Sequence, residues 1–201
     1  MPVLPVSQAG PASPRPAAPA FIAAPPPGNP WEAGALALAQ ATAKEFGMAL
    51  RRKLTAAIEA GGPVSAVSVC AGEAPALAES LRTRTGVAVG RASKKLRNAK
   101  SVTPPWVAAW LEQHASAKAA EAKGVQRIDA EGGGRKARFL VPIAIEAPCL
   151  LCHGPVEAMA APLREALSQR YPGDGATGYA LGELRGALWA EAEVRGPTAP
   201  R

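Results

Sequence analysis

The sequence predicts an α+β domain: a long N-terminal helix, then an antiparallel sheet flanked by helices. Three observations predict it. Apolar residues recur at helical spacing from Trp31 onward, a Gly-rich turn near residue 132 joins two strand-like runs, and a further strand-like run, "RGALWAEAEV", closes the chain. Helices first, then strands with helical insertions, is the order expected of this class. At 201 residues the chain has room for one domain with tails.

The first thirty residues hold ten of the 21 prolines, a density that excludes helix and central strand. Residues 1–30 therefore read as an extended, disordered Pro/Ala-rich leader, 31–194 as the folded domain and 195–201 as a flexible tail. Phe46, Leu50, Leu54 and Ile58 recur every four residues and predict a first helix to Ala60. Gly61-Gly62 ends it, and Pro63 suits the first turn of a second helix running to Arg84. Val67, Cys70, Leu77 and Leu81 fall on one side of that second helix. "VAVGRAS" reads as a short strand, and Thr103 as the cap of a helix opened by Pro104 and Pro105.

"VQRIDAEGGGRKARFLVPIAI" reads as a hairpin in which Phe139, Val141 and Ile143 alternate as in a half-buried strand. A helix reset at Pro162 follows, and then the final strand. Aromatic residues are only 4% of a chain that is 48% hydrophobic, so alanine must do much of the packing. No apolar run reaches the length of a membrane span. The net charge of +7 is spread along the chain except for "RASKKLRNAK" (91–100). That segment has no interleaved aromatics and no recognition-helix pattern, so it reads as a solvated basic face and not as a nucleic-acid site.

Two of the three cysteines and one of the two histidines lie in "APCLLCHGP", residues 147–155. Cys149 and Cys152 stand one helical turn apart, so their thiols can add to the two vinyl groups of one haem, and His153 is then carried to the iron. At this chain's own residue frequencies the pattern arises by chance roughly once in 2,000 chains. Three alternatives compete. A thioredoxin-like redox pair needs a βαβ unit that the pattern does not show. A zinc site would have to draw on Cys149, Cys152, Cys70 and a histidine, without a second Cys pair. A disulfide between Cys149 and Cys152 would close a very short, strained loop. A haem iron would also take a second axial ligand, for which Cys70, Met48, Met159, His114, Met1 and water are the candidates. His114 reads as a surface residue and Cys70, on residue type alone, as a buried core thiol.

The ordered motifs "AVSVCAGEAPALAESL" (66–81), "GRASKKLRNAK" (90–100) with Trp106, "CLLCHG" (149–154) and "YPGDGATGYALGELRGAL" (171–188) resemble a known family over Trp31–Val194. It is the c-type-haem-binding, PAS-like domain family of bacteria, long catalogued as a domain of unknown function. Its members are stand-alone secreted proteins or sensory ends of signalling proteins. The resemblance implies a PAS-like fold, thioethers at Cys149 and Cys152, iron ligation by His153, and Cys70 as the opposite axial ligand. It places Arg91, Arg97 and Asn98 in a basic segment whose cations would either neutralise haem propionates or serve a purely structural role. Tyr171, Pro172, Asp174, Gly178 and Arg185-Gly186 fall in its closing motif, as residues that hold the haem-side loop. The chain departs from the pattern at Asn98-Ala99, Ser101, Thr103 and Glu183.

The expectation is thus one covalent haem c with His/Cys ligation in a periplasmic or otherwise exported redox or diatomic-gas sensor, not an enzyme. Reduction would weaken an iron–thiolate bond, making the helix 63–84 the moving part and an unidentified signalling or redox protein the listener. The runner-up is a small c-type cytochrome that carries electrons, and the third reading a non-haem scaffold. Covalent haem attachment takes place outside the cytoplasmic membrane. Export is therefore expected although no clear signal peptide is visible, with either an atypical signal or a misassigned start.

Overall fold

A computed structural model describes residues 21–23 and 28–196, without the side chains at 21–23, 70 and 71. The rest of the predicted leader, the tail beyond residue 196 and the Cys70 side chain lie outside the described residues. The elements are β1 (Phe21–Ala23), α1 (Pro30–Thr85), β2 (Ala88–Ala92), α2 (Pro105–Gln113), β3 (Gly124–Glu131), β4 (Gly134–Ala144), α3 (Leu150–His153), α4 (Ala161–Arg170) and β5 (Leu184–Glu193). Strand order is β1-β3-β4-β5-β2. β3, β4, β5 and β2 pair antiparallel, and β1 adds a short parallel edge to β3. This is the α+β, PAS-like architecture expected, with the long helix at its start. One part of the leader expectation is corrected, because Phe21–Ala23 is ordered as an edge strand.

α1 begins with a reciprocal cap. The Asn29 side chain accepts from Trp31 N and Glu32 N, while buried Glu32 accepts from Gly28 N and Asn29 Nδ2 and pairs with Arg135. Gly61 and Gly62 leave helical geometry, Gly62 with φ 73°, where the sequence placed the break. The chain then doubles back. Lys53–Glu73 (2.5 Å) and Arg84–Glu45 (2.6 Å) ion pairs link the two arms, and Leu81 joins the cluster that holds Phe46. Arm 30–60 presents Ala35, Ala39 and Ala43 to the sheet, small side chains that let the helix lie close. Phe46 and Leu81, each 1% exposed, contribute about 1.5–3 kcal/mol apiece by burial.

The sheet is covered on both faces, which corrects the expectation of a half-buried β4. Phe139 and Ala190 face α1, whereas their neighbours Leu140 and Ala187 face α2, with Trp106, Val107, Trp110 and Leu111. Period 2 persists, but both faces are apolar, so Ala137 through Leu140 are buried without interruption. Arg138 is tolerated there because Asp129, Glu131 and Glu191 surround its guanidinium and the Trp106 ring lies 5.3 Å from it.

α2 is corrected at its start. Pro104, not Thr103, occupies the cap position and makes no side-chain cap bond, and the helix stops at Gln113. His114 is not a free surface residue. It is half-buried, stacks on Trp110 at 4.4 Å, and its Nδ1 lies 2.8 Å from the Trp110 carbonyl. Among the described residues no single helix is long and apolar enough to cross a membrane.

Gly186 sits where β5 crosses β2. Its φ is 154°, and a Cβ there would meet the Ala92 carbonyl oxygen at 2.1 Å. Gly34, inside α1, has nothing within 4 Å of such a Cβ. Gly186→Ala should therefore cost at least about 2 kcal/mol through strain and displaced backbone. Gly34→Ala should instead stabilise the protein by about 0.5–1 kcal/mol. Urea unfolding of both variants checks this pair.

Candidate functional site

β4 delivers the chain to the Cys-x-x-Cys-His turn. Ile145, 1% exposed, fixes the exit: its N donates to Glu183 O (2.9 Å) and its carbonyl accepts from Gly182 N (2.9 Å). A short 3-10 turn, Ala147–Cys149, runs into α3, so Cys149 and Cys152 lie on consecutive turns of nearly continuous helix. Both are half-buried, and among the described residues neither is in a disulfide. Gly154 closes the turn with its N on Leu150 O (3.0 Å), and a Cβ at Gly154 would strike that same carbonyl at 2.6 Å.

His153 is the most constrained side chain here. Its Nδ1 lies 2.7 Å from the Ala176 carbonyl. A carbonyl can only accept, so Nδ1 carries the proton and Nε2 keeps its lone pair. Burial pushes the imidazole pKa down to about 3, and the Arg185, Arg97 and Arg91 charges act in the same direction against the Ala176 hydrogen bond. The ring is therefore neutral at physiological pH and presents one unprotonated nitrogen.

The strap 174–182 holds this turn from the other side. Gly178 N donates to Gly154 O and Tyr179 N to His153 O, each at 2.9 Å. Arg97 ties strap and turn together. Its Nη2 donates to the Cys152 carbonyl and, at 3.3 Å, to the Ala176 carbonyl that also receives His153. Its Nε is 3.0 Å from Asp174 Oδ2, an ion pair in which the side chains are only 12% and 10% exposed. Asp174 Oδ1 accepts from Ala176 N (2.8 Å), and Gly175 N donates to Leu96 O (2.9 Å). A solvated basic face was expected at 91–100, and at Arg97 that is corrected. Lys94 remains exposed with Glu112, but Arg97 is built into the site, and Lys95 donates to Thr177 O and lies 4.5 Å from the Tyr179 ring centre.

Tyr171 is buried beneath the turn with Val67, Met159, Leu163 and Leu167, a cluster against which Cys152 packs. A groove of about 270 Å³ opens beside it between Val64, Val67 and Ser68 of α1 and Ala166, Gln169 and Arg170 of α4. Arg91 lies exposed on β2. Of the ligand candidates, Met159 is buried in this cluster and Met48 is exposed at 46%. His114 is engaged by Trp110, while Met1 and the Cys70 side chain lie outside the described residues. No three His, Cys, Asp or Glu side chains form a metal-ion cluster among the described residues. The sequence reading named neither Ala176, which acts only through its backbone, nor Tyr179, whose role rests on neighbours remote in sequence.

Arg97→Gln should leave Asp174 buried without its counter-charge and cost about 3 kcal/mol. Asp174→Asn should cost a similar amount, and the double variant less than the sum of the two. Hydrogen exchange at the Gly178 and Tyr179 amides should quicken in both single variants if the clamp holds strap to turn. Unchanged exchange would refute that role.

No curated protein matches this sequence. The crystal structure of the cyanobacterial heme-protein Tll0287 superposes with a TM-score of 0.52 and 22% identity, covering 85% of this chain and 99% of that one. That likeness concerns the fold. The Tll0287-like family (Tll0287) matches residues 28–191, from the cap of α1 to β5, with the Cys-x-x-Cys-His turn, the Arg97 clamp and the strap all inside the match, and the chain belongs to that family.

Proposed function

We propose that this protein carries one covalent c-type haem and acts as a redox- or diatomic-gas-sensing module outside the cytoplasmic membrane. One observation carries the reading: a neutral His153 with Nδ1 committed to the Ala176 carbonyl and Nε2 available, on a helical turn that also brings up Cys149 and Cys152, neither of them in a disulfide among the described residues. The donor set fits. The spacing of Cys149 and Cys152 suits two thioethers, and the carbonyl behind His153 fixes its tautomer and strengthens it as a ligand. The same fold in a protein described as a heme-protein, Tll0287, supports it.

When bound, the haem supplies a one-electron couple and an iron whose ligands the protein chooses. The chain's own residues do the rest. Cys149 and Cys152 anchor, Ala176 orients His153, and Arg97 with Asp174 keeps the turn from unravelling. Cys70 is the second ligand in this reading. Val67, three residues before it, packs in the cluster that Cys152 touches, which brings this stretch of α1 to the site. A thiolate there favours the oxidised form and holds the potential low. The carrier reading draws on Leu151 (48% exposed) and Val156 (45% exposed), an apolar edge flanking the turn where a redox partner could dock.

Protein matured in an exporting host should keep its chromophore through acid-acetone extraction and give a c-type pyridine haemochrome. A Cys149→Ala/Cys152→Ala variant should lose that covalent chromophore. Exported wild type without haem would overturn the proposal. Cys70→Ala should raise the midpoint potential and change the ferric spectrum, whereas Met159→Leu should do neither. Carbon monoxide binding that rises on reduction supports the sensor, and saturated coordination in both states the carrier.

A further inference from the structure

Hydrogen bonds satisfy the N–H groups of a buried arginine but do not neutralise it, so such a residue needs a counter-charge. Two arginines drawn into this fold have theirs: Arg138 has three carboxylates and Arg97 has Asp174. Arg185, at the start of β5, has no carboxylate among the described residues. Its Nη1 donates to Ser93 Oγ and, at 3.3 Å, to the Lys95 carbonyl, and its guanidinium carbon lies 5.5 Å from the Tyr179 ring centre. Lys95 Nζ lies over the same ring at 4.5 Å. Glu183, two residues before it, accepts from Ala180 N, and Glu146, beside the Cys-x-x-Cys-His turn, pairs with Arg51.

A second unpaired cation stands close by. Arg91 lies on β2, which pairs with β5, opposite Leu188. Arg91 and Arg185 act electrostatically on each other and both on His153, whose ring is 6.2 Å from that of Tyr179. Like charges gathered beside a ligand histidine, with no acid among them, are arranged for an anion that arrives from outside the chain.

We propose that Arg185 and Arg91 form a carboxylate-binding site beside His153, and that the carboxylate it takes is a propionate of the haem attached there. The inference rests on the haem reading above. It shifts the propionate role from Arg97, whose charge Asp174 already matches, to a residue that the sequence resemblance placed only among those holding the haem-side loop. A fixed positive charge near a redox centre favours its reduced form, so the pair would also set the potential.

The test uses exported, haem-loaded protein with Arg185→Gln, Arg185→Lys and, because it disturbs only an exposed side chain, Arg91→Gln. Haem content and midpoint potential are read for each. Arg185→Gln should keep a full haem content and shift the potential downward. Arg185→Lys should restore most of that shift, and Arg91→Gln should give a smaller one in the same direction that shrinks as salt is added. Full haem content with an unmoved potential in both Gln variants would overturn the site. So would thermal stabilisation of loaded wild type by inorganic phosphate that Arg185→Gln abolishes, since the cation would then still be free with haem in place. Wild type without haem would instead remove the haem reading itself, and the propionate with it.

Discussion

The site depends on one buried ion pair, Arg97 with Asp174. Each partner makes the other tolerable in a place that water hardly reaches, and each spends its remaining capacity on backbone. Arg97 bonds the Cys152 carbonyl and Asp174 the Ala176 amide, so the pair joins the two segments whose meeting orients His153. Without it the strap and the Cys-x-x-Cys-His turn would be held mainly by the backbone bonds of Gly178 and Tyr179. A histidine on a single helical turn cannot be rigid by itself, because four residues make too little helix to persist alone. Its rigidity is borrowed from the clamp.

The sheet supplies the frame for that clamp. β4 is buried on both faces, so its end at Ala144 is a fixed point from which the turn is launched, and β5 begins beside it at Leu184. Gly186 lets β2 approach β5 so closely that no side chain fits between them, which brings Ser93, Lys95 and Arg97 over the strap. The same close approach gathers positive charge around His153.

Local features of this molecule were legible in the sequence to the extent that they are local. Gly61-Gly62 marks the reversal of α1 because helical geometry fails there whatever surrounds it, and Pro162 marks the start of α4 for a similar reason. Cys149, Cys152 and His153 declare themselves by spacing. Arg97 did not, since a run of basic residues looks solvated until the acid that neutralises one of them is known, and Asp174 comes from the far end of the chain. β4 reads as half-buried for the same reason: alternation within a strand does not say whether a second helix covers its other face, and Trp106 and Trp110 do cover it. Thr103 has the chemistry of a cap, yet Pro104 and Pro105 shift the first helical residue one place beyond its reach.

The two arms of α1 are held unequally, and that bears on how a ligand change could be transmitted. Arm 30–60 lies against the sheet through Leu36, Ala39, Ala43 and Phe46, and the returning arm rejoins that core only at its end, through Leu77 and Leu81. Between these anchors the returning arm touches the cluster beneath the Cys-x-x-Cys-His turn through Val67 and carries Gly72 and Pro75 in its interior. Pro75 removes one helical hydrogen bond and Gly72 costs about 1 kcal/mol relative to alanine, so the stretch that includes Cys70 is weaker than an uninterrupted helix of the same length. A segment meant to stay fixed through every redox cycle would be expected to avoid both residues. A segment meant to answer a change of ligand needs a low local unfolding energy between two firm anchors. The helix has that profile, and this favours the sensing role over simple electron carriage.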